Sequence, residues 1–223
     1  MKSRNWLKGL GVTMIATTLI LTGCGNGDAE KADTKEQTKS VEEEGKEVKI
    51  ESNEGKPQHE QLITVKLPPE ADYLNDETLE VYEQDKKKYD QTEQLITNNS
   101  VTILLGDFCY YEPAWSSLTC SAILVNGTDS NIEDLSFQAE IVNKPMSGKV
   151  FSDDKVPELT KAKTGKFQPN EGIPIILVFS EDDPKNEENA EPQKINIKDI
   201  KVKIKDIQYK AVNVKEQTAK EKT

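Results

Sequence analysis

The 223-residue chain reads as mainly β: an antiparallel β-sandwich preceded by one short helix and carried on a charged, disordered N-terminal tether. Three observations lead there. Between Val101 and Ile141 apolar and polar residues alternate with period two, the mark of half-buried strands. Ile173–Phe179 and Ile195–Tyr209 are rich in Ile and Val and bounded by turn residues. From Gly25 to Glu60 no aromatic residue occurs and the only large apolar residues are Val41, Val48 and Ile50, too few to offset the entropy of ordering the segment.

At the N-terminus, Lys2, Arg4 and Lys8 precede an apolar run from Leu10 to Leu21. That run has the length of a secretory h-region, about 7–15 residues. It falls short of the roughly 20 residues a membrane-spanning helix needs. Leu21-Thr22-Gly23-Cys24 closes it and resembles the lipobox of bacterial prolipoproteins. The resemblance implies a signal peptide over 1–23, a diacylglyceryl group (palmitate-type chains) on the Cys24 thiol, and cleavage before Cys24. It also implies residence on the outer face of the cell membrane. Two acyl chains on one residue meet the two-signal requirement for stable anchoring.

Cleavage removes three basic residues and no acids, so the formal charge goes from −11 to −14. Such a balance excludes nucleic acid as an expected partner, and an anionic bilayer surface as well. With Cys24 acylated, Cys109 and Cys120 are left as an even pair in an exported protein, which points to a disulfide.

Residues 24–60 are expected to form the tether, holding the domain about 30–35 Å from the lipid on average. His59, the chain's one histidine, falls in it and is expected to be inert. In 61–98, Leu62–Leu67 reads as a short strand stopped by Pro68-Pro69. Asn75 or Asp76 then caps a helix running to about Leu95, with Leu79, Tyr82, Tyr89 and Ile96 as a thin apolar face.

The sandwich domain is expected over 99–214, with a frayed tail at 215–223. Val101, Ile103, Leu105, Cys109 and Tyr111 share one face of a strand; Leu118, Cys120, Ala122 and Leu124 share one face of the next. A turn centred on Ala114 and Trp115 sets Cys109 opposite Cys120, Tyr111 opposite Leu118 and Leu105 opposite Leu124. Asp107 is the polar exception on that face. Asn126-Gly127 marks a turn rather than a glycosylation acceptor, Leu135–Ile141 a half-buried strand, and Ile173–Phe179 a central one. In 195–209, Ile197, Ile200, Ile204 and Ile207 also fit helical spacing; the Ile/Val content favours strands, with Asp199 and Asp206 at turns or bulges.

Leu124-Val125-Asn126-Gly127-Thr128-Asp129 followed by Ile132, Leu135 and Phe137 looks like part of the small immunoglobulin-like domains on lipoproteins of Gram-positive bacteria. That resemblance implies an immunoglobulin-like sandwich of no assigned function.

No G-x-S-x-G, P-loop, H-E-x-x-H or Cys/His metal spacing occurs, so no cofactor, metal or catalytic residue is expected. The acidic loop around 181–191 lacks the spacing of a calcium loop. The expected role is therefore a non-enzymatic interaction module for an envelope protein or polymer, with a small-ligand receptor, such as a transporter-associated binding protein, as the alternative. Tyr110, Tyr111, Pro113 and Trp115 cluster at the turn and form the candidate binding tip, unless Trp115 folds back to close one end of the sandwich.

Overall fold

Period-two alternation builds the centre of the molecule. β4 (Val101–Glu112) and β5 (Ser117–Asn126) form an antiparallel hairpin with Cys109 opposite Cys120, Tyr111 opposite Leu118 and Glu112 opposite Ser117. Ala114 and Trp115 lie at the centre of its turn, as expected. The upper register differs from the sequence reading: Leu105 faces Ala122, and Leu124 faces Ile103. A shift between Leu105 and Cys109 takes up two extra residues on β4. A two-residue insertion leaves the inward–outward phase intact, so the alternation of side chains conceals it. Asp107, the polar exception, sits exposed in this irregularity and pairs with Lys88 at 2.6 Å.

The computed structural model describes residues 45–143, 145–146, 149–152, 154–184 and 190–212. The expected signal segment with Cys24, the part of the expected tether up to 44 and the expected tail from 215 lie outside them. The other elements are β1 (Lys46–Ser52), β2 (Gln58–Val65), α1 (Asp76–Tyr89), β3 (Thr92–Thr97), β6 (Asn131–Ile141), β7 (Asp154–Leu159), α2 (Lys161–Thr164), β8 (Glu171–Ser180), β9 (Gln193–Lys194) and β10 (Val202–Val212). Short 3-10 turns occupy Pro69–Tyr73 and Ile197–Asp199.

Among the described residues the strands make two sheets, ordered β1-β10-β6-β7 and β3-β2-β8-β5-β4-β9. The main core lies between them. Leu135, Phe137, Ala139, Ile204 and Ile207 come from one sheet, and Leu118, Cys120, Leu124, Ile173, Leu177 and Phe179 from the other. Each large apolar side chain removed from water there contributes about 1.5–3 kcal/mol before entropy. The fold is thus mainly β and sandwich-like. One pairing, β2 with β8 at Thr64–Glu171 and Val65–Gly172, is parallel, and α1 follows two strands rather than preceding all of them.

β8 is central, between β2 and β5, as its two apolar faces suggested. The second apolar face is needed because α1 lies on the outside of this sheet. Beneath it a smaller cluster joins Ile63, Val65, Ile96, Ile123 and Val125, with Tyr89 and Leu104 against it.

Two boundaries move. Residues 46–60 are not part of a tether: β1 pairs with β10, and β2 begins at Gln58. An edge strand with one solvated face needs little apolar content. Val48 and Ile50 pack against the core, and backbone pairing secures the rest. The helix stops at Tyr89 instead of Leu95. Asn75 caps its start by accepting from the Thr78 amide at 2.8 Å, as expected, and Gln91 at φ 58° turns the chain back. Thr92–Thr97 then pairs with β2 and buries Ile96 completely. Within 195–209 the strand begins only at Val202; Asp199 ends a 3-10 turn and Asp206, at φ 51°, marks the bulge.

Candidate functional site

Parity decides which of the four tip residues face solvent. Tyr110 and Tyr111 are successive strand residues and must point to opposite faces. Tyr111 is buried in the core, its ring edge-on to Phe151 with centroids 6.1 Å apart. Its hydroxyl donates to Glu181 Oε2 at 2.6 Å, while Lys149 Nζ donates to that hydroxyl at 2.7 Å and to Glu181 at 2.9 Å. The Lys149 ammonium also sits 4.3 Å from the Tyr111 ring centroid. The hydrogen bond to Tyr111, then that to Glu181, outweigh burial and hold the Lys149 pKa above its ordinary value. Pro113 is buried as well. Tyr111 and Pro113 are therefore covered by the fold and are not part of the exposed tip.

Trp115 is the opposite case, 79% exposed at the summit of the turn. It does not fold back to close the sandwich. The turn itself is ordered: the Trp115 amide donates to the Glu112 carbonyl at 3.1 Å and the Ser116 amide to the Pro113 carbonyl at 3.3 Å. A neighbouring segment braces it, with the Glu181 amide on the Ser116 carbonyl at 2.8 Å and the Asp182 amide on the Val150 carbonyl at 2.9 Å. Tyr110 is half-buried on the outer face, its ring 4.9 Å from that of Phe108. Along the same row of the sheet Tyr110 faces Thr119, and Thr119 faces the exposed Val178.

Cys109 and Cys120 are buried and bonded across the hairpin, Cα atoms 4.0 Å apart. The Cys109 carbonyl points the other way, accepting from the Ile195 amide at 2.9 Å, so the cysteines occupy a non-hydrogen-bonded pair, where side chains approach most closely. Closing a loop of this size stabilises the domain by about 2–3 kcal/mol.

No family model matches this chain, and neither a curated protein nor a solved structure is similar to it. Among the described residues no group of three His, Cys, Asp or Glu is placed to hold a metal ion. His59 lies exposed on β2 beside Asn98. No described helix is long and apolar enough to cross a membrane.

Four of the described carboxyl residues are buried, Asp85, Glu133, Glu171 and Glu181, and none was anticipated from the sequence, although the positions of Glu181 and Asp85 carried a signal. Glu181 continues the inward parity of Leu177 and Phe179. Asp85 lies three residues after Tyr82 and four before Tyr89, on the buried stripe of α1, and is 2% exposed. Its carboxyl fills the space above Gly106, where an added Cβ would come within 2.2 Å of both carboxyl oxygens and 2.1 Å of Ser121 Oγ. One oxygen accepts from the Asp107 amide at 3.3 Å; the other, like Ser121 Oγ, meets no hydrogen bond of good geometry.

Burial raises the Asp85 pKa. Contacts with Ser121, the Asp107 amide and Lys88 oppose the shift, and the Asp107 charge adds to it. The same burial, with Glu70 and Asp85 nearby, pushes Tyr82 up to about 12.

The raised Asp85 value has a defined sign. The folded state keeps a proton that the unfolded chain releases near pH 4. This contribution is full below pH 4 and is lost as pH rises through the folded pKa. Asp85→Asn keeps the shape and removes the ionisation. Its stability relative to the parent should therefore grow from pH 4 towards neutrality. Urea unfolding at pH 4, 5.5 and 7.5 measures this, and parallel curves for the two proteins would contradict it.

Proposed function

We propose that this protein is a non-enzymatic interaction module, anchored by a diacylglyceryl group on Cys24 to the outer face of a Gram-positive cell membrane, and that it engages an envelope protein or polymer through the Trp115 tip. The anchor rests on the Lys-rich, then apolar N-terminus that ends in Leu21-Thr22-Gly23-Cys24. The tip rests on one observation: a tryptophan 79% exposed on a turn whose base is buried, disulfide-closed and hydrogen-bonded. Exposing so much apolar surface is unfavourable in the free molecule. A buried aromatic of this kind removes about 150–250 Å² from water. At about 25 cal/mol per Å² that is roughly 4–6 kcal/mol before the costs of association. A turn already fixed by its own bonds loses little further entropy on docking.

One experiment tests both halves. Membranes from cells carrying the parent, Cys24→Ser and Trp115→Ala are treated with a reversible crosslinker, and the captured species are compared. Cys24→Ser should leave the membrane fraction or persist as precursor. Trp115→Ala should stay in the membrane and unfold within about 0.5 kcal/mol of the parent, yet lose the captured species. Loss of several kcal/mol of stability in Trp115→Ala would make the residue structural, and normal processing and retention of Cys24→Ser would remove the anchor.

A further inference from the structure

At the opposite end of β4 from Trp115 the two sheets part. A half-open cleft of about 490 Å³ lies between them, lined by Asn53, Thr102, Ile103, Lys201 and Val202 among others. The backbone around it accounts for its character. Just before β4 the Ser100 carbonyl accepts from the Gly127 amide, so on β4 the even-numbered residues turn their backbone groups to β5 and the odd-numbered ones turn away. Two odd positions are closed off: Asn53 Nδ2 donates to the Val101 carbonyl at 2.5 Å, and Tyr89 Oη to the Leu105 carbonyl at 2.6 Å. Between them the N–H and C=O of Ile103 point off the sheet with no partner among the described residues.

β10 repeats the pattern. The Val142 amide donates to the Lys201 carbonyl at 2.9 Å on the β6 side, and the Asn53 amide to the Ile204 carbonyl at 3.3 Å on the β1 side. Val202 therefore faces the β1 side. β1 has already ended at Ser52, opposite Lys205, and Val202 meets no partner there among the described residues. The side chains of Ile103 and Val202 are only half-buried at the rim of the core.

Two unpaired strand edges thus open into one cleft. Asn53 already reaches both edges, its amide on the Ile204 carbonyl and its Nδ2 on the Val101 carbonyl. An extended segment lying beyond Asn53 would come within reach of the next outward positions, Ile103 and Val202.

Charge selects the segment. Lys203 is engaged by Glu54 at 2.7 Å, whereas Lys201 has no carboxylate in ion-pair reach among the described residues. The polar side chains of the lining are already bonded. Asn53 Oδ1 accepts from Ser100 at 2.5 Å, Thr102 Oγ1 from the Thr97 amide at 2.9 Å and Thr97 Oγ1 from Gln58 at 3.4 Å. A polyhydroxylated small molecule would find few free partners. Backbone edges, apolar rims, the Glu54–Lys203 ion pair and the Lys201 ammonium remain, a net single positive charge. We infer that this seam is a strand-addition site that takes a short extended peptide segment bearing a carboxylate, held by the backbones of Ile103 and Val202 and by the Lys201 ammonium. The site is separate from the Trp115 tip and does not depend on it.

Hydrogen–deuterium exchange on the full-length protein in detergent tests it, with acetyl-Thr-Val-Glu-Val-amide as the probe and its Thr-Val-Lys-Val counterpart as control. In the free protein the Ile103 and Val202 amides should exchange much faster than those of Thr102 and Leu104. Saturating Glu peptide should slow both more than tenfold, and the Lys peptide should need higher concentrations. Lys201→Glu should weaken the Glu peptide about tenfold and favour the Lys peptide. Ile103→Pro removes one outward N–H at a position where an edge strand tolerates proline, and should abolish the protection. If that variant fails to fold, the Lys201→Glu reversal stands as the test. Ile103 and Val202 amides as slow as their neighbours in the free protein would mean that the chain closes its own seam, and would overturn the proposal. So would no protection at millimolar peptide, or displacement of the peptide by equimolar succinate, which would mark a small-anion pocket.

Discussion

Asn126→Ala should cost about 3–5 kcal/mol of folding stability, a large part of the 5–15 kcal/mol that holds a domain together. Asn126 is fully buried. Its amide nitrogen donates to the carbonyls of Ser130 at 2.9 Å and Phe167 at 3.0 Å, and its side-chain oxygen accepts from the Thr128 amide at 2.9 Å and Thr128 Oγ1 at 2.8 Å. These four bonds tie the β5–β6 turn to the loop whose Phe167 ring enters the core at 1% exposure. Alanine removes all four bonds and leaves the buried Thr128 amide unsatisfied, while the Phe167 and Ser130 carbonyls each keep a second donor, the Ile132 amide and Thr128 Oγ1. Each lost bond is worth about 0.5–1.5 kcal/mol, and the unsatisfied amide costs about 1–3 kcal/mol. The same burial rules out the Asn126-Gly127-Thr128 sequon as a glycan acceptor, since both amide hydrogens are committed inward. Urea unfolding of parent and variant checks the figure; a difference below 1 kcal/mol would mean the site rearranges or hydrates.

What the sequence disclosed and what it concealed divide along one physical line. Local periodicity was legible: the hairpin turn, the pairing of Cys109 with Cys120, the strand through Leu135, Phe137 and Ala139, and the helix start at Asn75 all follow from neighbours in the chain. Features set by distant partners were not. β1 exists because β10 offers it an edge, and Val48 and Ile50 alone do not announce that. Thr92–Thr97 leaves the helical pattern because β2 needs an antiparallel neighbour. The register shift at Gly106–Phe108 preserves parity and so leaves no mark in the alternation. At the tip, parity already separated Tyr110 from Tyr111, but only tertiary packing shows that Pro113 is covered and Trp115 is not. The seam at Ile103 and Val202 depends on two strands, about a hundred residues apart in sequence, coming to one place with β1 ending short of Val202.

Glu181→Ala should loosen the tip from its base, at about 3 kcal/mol, without touching any residue of the exposed surface. The Glu181 carboxylate is buried and receives both the Tyr111 hydroxyl and the Lys149 ammonium on one oxygen. Removing it strands a buried phenol and an ammonium that is itself only 21% exposed. Breaking one side of such a pair costs more than the pair contributes, because the remaining charge loses its compensation. The Lys149 chain can swing to solvent, which limits the loss, but doing so frees the segment that braces the turn through the Asp182–Val150 bond. Two readouts should move together: the unfolding midpoint in urea, and faster hydrogen exchange in 149–152 and 112–117. The triple variant Glu181→Leu/Lys149→Met/Tyr111→Phe replaces the ion pair and the hydroxyl bonded to it by apolar groups of similar volume and should recover most of the stability. If Glu181→Ala leaves exchange at 112–117 unchanged, the triad serves the core alone, and the rigidity of the Trp115 turn comes from the disulfide and its own hydrogen bonds.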